Sequence, residues 1–156
     1  MRVTTVFHQQ DQVLSADHSD LPKPWVRLLL TGLALCFSGI IALSAWLTPD
    51  PRGFGTHQQL GLPPCFLREY TGVSCPHCGM TTSFSQTIRG DFDQAWSANP
   101  LGAPLFLAVS AAIPWLLVTA ATGHWFLTNR PFRIIVWTAI LFGGGTVLMW
   151  IIRLLF

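Results

Sequence analysis

Three long stretches of the chain have no polar face. The first, WVRLLLTGLALCFSGIIALSAWL, runs from Trp25 to Leu47 and carries one charge, Arg27, near its start. The second, LGAPLFLAVSAAIPWLLVTAATG, runs from Leu101 to Gly123 and carries none. The third, FRIIVWTAILFGGGTVLMWIIRLLF, runs from Phe132 to Phe156, with arginines only near its ends. A helix needs roughly 20 apolar residues to cross the hydrocarbon core of a bilayer, and each run supplies them. A helix buried in a small soluble protein would instead keep a polar side. The pattern predicts transmembrane helices over 25–47, 101–123 and 132–156, a polar tail over 1–24, and one sizeable loop over 48–100.

Within the loop the pattern changes twice. TPDPRGFG, residues 48–55, is turn chemistry, and THQQLGLPPCFLREYTGVSCPHCG after it shows no helical period. From Met80 onward, Met80, Phe84 and Ile88 recur every four residues, with Thr81, Thr82, Ser85 and Gln86 on the other faces. That spacing predicts a short amphipathic helix. Gly90 can take the left-handed conformation that ends it, and Arg89 suits the negative end of its dipole. Asp91 can cap a second short helix whose Phe92, Ala95 and Trp96 share a face. Both are expected in the membrane interface with their apolar sides down. Asn99-Pro100 reads as a cap followed by a first helical proline for the next span. The fold class is therefore an all-α membrane protein: three transmembrane helices, two short interfacial helices, and a Cys-rich loop between the first two spans.

Composition sharpens this reading. Only 10% of the 156 residues are charged, against about 25% in soluble domains, and the mean hydropathy is +0.46. The lipid bilayer is the expected partner of most of the surface. Many of the seven tryptophans sit near the ends of apolar runs, as an interfacial aromatic belt requires. A net charge of +2 with no basic run argues against nucleic acid. No Asp, Glu, Lys or His lies mid-span, which disfavours an ion or proton path. Inside the spans the sequence offers packing: Ala34, Ser38 and Ala42 form a small-residue stripe, as do Ala139 and Gly143, and Pro114 should kink the second helix.

A cleaved signal peptide is a rival for the first span, since Ala42-Leu43-Ser44 loosely fits a cleavage site. The tail before it is long and carries Asp11, Asp17 and Asp20, so an uncleaved anchor is expected. Arg2, Lys23 and Arg130 share one side of a three-span topology, with Arg27 and Arg133 just inside the helix ends. Arg52, Arg68 and Arg89 are spread along the other side. Basic residues close to helix ends favour the cytoplasm. The N-terminus is therefore expected inside and the cysteine loop outside.

The candidate chemistry lies in that loop. Of four cysteines, Cys36 falls within the first span, where packing is the expected role. Cys65, Cys75 and Cys78 fall together, with His57 and His77 nearby. Three readings stay open. Zinc needs four ligands; Cys65, Cys75 and Cys78 supply three, and His57 is the better fourth because His77 lies inside the Cys75–Cys78 turn. A structural disulfide could join Cys65 to Cys75 or Cys78 and staple a loop with little core of its own. A redox pair is the third reading, with Cys75 as nucleophile and Cys78 as resolving thiol. CPHC is similar to the dithiol of periplasmic thiol–disulfide oxidases, and the helix start near Gly79 would lower the Cys75 pKa. No strand–helix alternation supplies a thioredoxin fold.

The segment TGVSCPHCGMTTSFSQTIRGDFDQAWSANPLG also resembles the hallmark of a family of small bacterial integral membrane proteins catalogued as a domain of unknown function. The residues that carry this are Thr71, Gly72, Cys75, Pro76, Cys78, Gly79, Gly90, Asp91, Ala95, Asn99 and Pro100, with Cys65 upstream. The resemblance spans roughly residues 57–110. Many members have an arginine where this chain has Thr82. The resemblance implies an integral membrane protein of this arrangement and no particular reaction. Together the residues point to an accessory or assembly component whose loop is held by a metal ion or a disulfide, serving a membrane-protein partner or a homo-oligomer. A membrane thiol–disulfide oxidoreductase is the alternative.

Overall fold

The computed structural model describes residues 23–125 and 131–155. In chain order these form α1 (Pro24–Trp46), a 3-10 helix (Thr56–Leu60), α2 (Phe66–Thr71), α3 (Met80–Thr87), α4 (Phe92–Ala98), α5 (Gly102–Thr122) and α6 (Pro131–Leu155). No strand occurs among the described residues. Three helices, α1, α5 and α6, are long and apolar enough to cross a membrane. The tail over 1–22 and the loop residues 126–130 lie outside the described residues, as do His8, His18 and Arg130.

α1 and α5 form an antiparallel pair. Arg27 at the start of α1 donates to the carbonyls of Ala120 (2.6 Å) and Ala121 (2.8 Å) at the end of α5. The last carbonyls of a helix have no partner within it, and a guanidinium supplies several donors at once. Ala34 packs against α5 as the small-residue stripe predicts, while Ala42 and Cys36 face outward. Cys36 is therefore a lipid-side residue rather than the packing residue expected.

The loop caps the far end of this pair. α3 is its centre, and its placement differs from the expected interfacial one in a way burial explains. Thr82, Ser83, Ser85 and Thr87 are all buried. Each hydroxyl finds a partner. Thr82 pairs with Thr56 at 2.8 Å, Ser83 donates to Asn99 O (3.2 Å), Ser85 to Ser44 O (2.9 Å) and Thr87 to Ser83 O (2.7 Å). A hydroxyl buried without a partner would cost about 1–3 kcal/mol. Here the partners include carbonyls orphaned at the ends of α1 and α4, so the polar face turns inward. The apolar Phe84 meets Phe106 of α5 edge-on, with ring centroids 5.5 Å apart.

Asp91 caps α4 by accepting from Gln94 N–H at 3.2 Å, as its position predicts. Ala95 is fully buried, while Phe92 and Trp96 point outward. Asn99 does not start the next span. Its Nδ2 donates to the Cys78 carbonyl (3.1 Å), its Oδ1 accepts from Leu101 N–H (3.1 Å), and α5 begins only at Gly102. The amide thus divides its work: its oxygen caps the turn leading into α5, and its nitrogen ties the cysteine turn to the α4–α5 junction.

α6 stands apart. Its described residues are largely exposed, and nothing lies near Gly143 or Gly144 among the described residues, so the second small-residue stripe meets no partner there. Its attachment is at the loop end, where Trp150 Nε1–H donates to the Ser74 carbonyl at 2.7 Å.

Candidate functional site: a three-thiol pocket

The sulfurs are brought together by two turns and one helix end. Cys65 occupies the position just before α2, after a Pro63-Pro64 pair that cannot continue the 3-10 helix. Cys75 and Cys78 form one turn, closed by Cys78 N–H to Cys75 O at 3.0 Å. Gly79 then takes φ 81°, and a Cβ there would strike the carbonyls of Ala98 and Gly53. Glycine is thus required both by the left-handed backbone and by the close approach. The turn is pressed against α4, and Asn99 holds it from the other side.

Cys65, Cys75, Cys78, His57, His77 and Arg68 share the wall of one open pocket of about 310 Å³. Cys78 is buried, Cys65 and Cys75 are partly exposed, and His77 is exposed. The Cys65 and Cys75 thiols lie near enough for each to shift the other's pKa, and all four cysteines are free.

Sequence reasoning missed Arg68. It lies on α2, three residues after Cys65. Its backbone amide lies at the start of α2 beside Cys65 and lowers the pKa of that thiol. Its guanidinium reaches Cys78 Sγ at 3.7 Å and Ser74 Oγ at 2.8 Å. The guanidinium also lies over the Phe54 ring, 3.5 Å from its centroid, and Arg52 lies over the same ring at 5.0 Å. The signal available in advance was only its spacing from Cys65; Phe54 and Cys78 reach it through the fold.

The electrostatics move the two thiols in opposite directions. The backbone amide of Arg68 and the thiol of Cys75 hold the Cys65 pKa below the usual thiol value, with help from the Leu67 and Cys75 amides. Burial and the bond to Cys65 push the Cys75 thiol up, against a smaller lowering by the His77 amide. Cys75 was expected to be the activated thiol because α3 begins after it. α3 does begin there, at Met80 with Gly79 as its N-cap, while burial keeps the Cys75 pKa raised.

The zinc set fares differently from the thiol pair. Cys65, Cys75, Cys78 and His57 line the same pocket, yet among the described residues no three His, Cys, Asp or Glu side chains are grouped to hold a metal ion.

No curated protein and no solved structure matches this chain. Residues 65–113, from Cys65 into the second span, match the family described as Protein of unknown function (DUF2752), so the three-thiol pocket, α3, α4 and the start of α5 coincide with a domain of that uncharacterised family.

Proposed function

We propose that this is an accessory or assembly component of a bacterial inner membrane whose extracytoplasmic loop is locked by a Cys65–Cys75 disulfide. The observation that carries this reading is that Cys65 and Cys75 line one pocket wall, near enough for each thiol to shift the other's pKa. The bond would close a short loop around α2, an element with no buried residue of its own. Such a bond stabilises by about 2–4 kcal/mol. It is favoured over zinc by the lack of a third grouped ligand among the described residues. Exposed Phe66 and Tyr70, stacked at 4.3 Å on α2, give the locked loop an apolar face toward a membrane-protein partner or a second copy.

The test is intact mass after alkylation, with and without reductant, on protein taken from membranes. Two alkyl groups without reductant and four with it are expected, since the chain has four cysteines. Four without reductant would overturn the lock, as would stoichiometric zinc lost on Cys65→Ser. Membrane-impermeant maleimide on intact, reduced cells should reach the loop cysteines from outside; labelling only after lysis would reverse the orientation.

A membrane thiol–disulfide oxidoreductase is the second reading. It is supported by the openness of the pocket and by a third sulfur, Cys78, beside the pair. In that reading Cys65, not Cys75, meets the substrate.

A further inference from the structure

We infer that Cys75 is the shared sulfur of two alternative disulfides, Cys65–Cys75 and Cys75–Cys78, and that Arg68 receives whichever outer sulfur is left unpaired. The inference rests on the Cys65–Cys75 reading and extends it to the third thiol. The three sulfurs line one pocket. Cys75 lines the pocket beside Cys65, near enough for each thiol to shift the other's pKa, and it shares a closed turn with Cys78. A structural staple would need neither the third sulfur nor a cation beside it. Yet the guanidinium of Arg68 contacts Cys78 Sγ at 3.7 Å, while the backbone amide of the same residue lowers the Cys65 pKa. Its stacking on Phe54 fixes the guanidinium plane. One residue therefore serves both outer sulfurs, and Cys75 between them has no such donor from it.

The exchange is redox-neutral. Cys78 gives its proton to pocket water and attacks Cys75 Sγ. The Cys75–Cys78 bond forms and the Cys65–Cys75 bond breaks. Cys65 departs with the electron pair as a thiolate, held by the Arg68 amide, and takes a proton from water when it is protonated. Net, one proton passes from Cys78 to Cys65 and no oxidant is consumed. Thiol–disulfide exchange runs faster when the attacker is more ionised and the leaving thiol is more acidic; Arg68 assists one in each direction. Arg68 is thus a positioning residue, and the consequence is a loop whose α2 is tethered in one disulfide isomer and released in the other.

The experiment uses the full chain with Cys36→Ser, in detergent, oxidised, quenched with acid, alkylated and peptide-mapped. Wild-type loops should show both bonds. Cys78→Ser should show only Cys65–Cys75, and Cys65→Ser only Cys75–Cys78; serine before α2 remains a good cap, so that variant keeps its fold. Arg68→Met should slow re-equilibration of the isomers about tenfold, the effect of losing a neighbouring cation from a reacting thiol, with Arg68→Lys restoring part of the rate. No Cys65–Cys75 bond in Cys78→Ser would overturn the disulfide lock and this inference with it. That bond present, but no Cys75–Cys78 in either Cys65→Ser or the wild-type loop, would overturn the exchange alone. An unchanged rate in Arg68→Met would remove Arg68 from its role.

Discussion

At the scale of single residues, the loop is governed by what approaches each sulfur. Cys65 and Cys75 are the same chemical group in the same pocket, yet their pKa values move in opposite directions. A depressed pKa means the thiolate persists to lower pH. In the fully reduced protein, iodoacetamide should therefore modify Cys65 ahead of Cys75 as pH rises toward neutrality. Its reactivity should be lost as pH falls through the lowered Cys65 value. Cys75, raised by burial, should react only at higher pH. Peptide-resolved alkylation rates across pH check this, and Cys75 reacting first would contradict the assignment. The same sign makes the thiolate of Cys65 a stabilising group above its unfolded pKa, with that contribution fading on acidification.

At the scale of elements, helix ends decide how the parts join. Arg89 sits just beyond α3 and donates to Ser85 O (2.6 Å), Leu47 O (2.8 Å), Ala45 O (3.0 Å) and Ser44 O (3.3 Å). It satisfies the end of α1 from another helix, which its expected role as a dipole partner of its own helix did not include. Arg89→Ala should lower stability by about 2 kcal/mol, the scale of hydrogen bonds to a charged donor. Arg89→Lys should recover little of it, because an ammonium does not reproduce the guanidinium fork. Denaturant titration in detergent micelles, followed by tryptophan fluorescence, reads both. Gly79 is the corresponding joint for the cysteine turn. Gly79→Ala adds a left-handed alanine, about 1–2 kcal/mol by itself, and drives a methyl into the Ala98 carbonyl. A loss larger than that backbone figure is expected, together with faster alkylation of Cys78, which the turn now buries.

At the scale of the whole molecule, α1, α5 and the loop form one packed unit, while α6 meets it chiefly at one end. The Trp150–Ser74 bond joins the last span to the residue before Cys75. It places the end of α6 on the same side as the cysteine pocket, as three crossings require. Trp150→Phe should leave the Ser74 carbonyl without this donor and raise the alkylation rate of Cys75 about fivefold, equivalent to ~1 kcal/mol. An unchanged rate would show that α6 does not steady the pocket. No such effect is expected from Gly144→Ala, whose added methyl meets nothing among the described residues.

The linear sequence alone determined the three apolar helices, the Asp91 cap and the left-handed Gly90, because each depends on residues within a few positions of one another. It also brought Cys65, Cys75, Cys78 and His57 under suspicion as one group. Which way each thiol's pKa moves, why the hydroxyl face of α3 turns inward, and why Asn99 also reaches Cys78 were decided by tertiary structure. Those outcomes depend on donors and acceptors far apart in the chain: Arg68 against Phe54 and Cys78, Ser85 and Arg89 against the last carbonyls of α1. A hydroxyl or a sulfur has no preferred side until the fold brings it a partner, and periodicity carries no record of that partner.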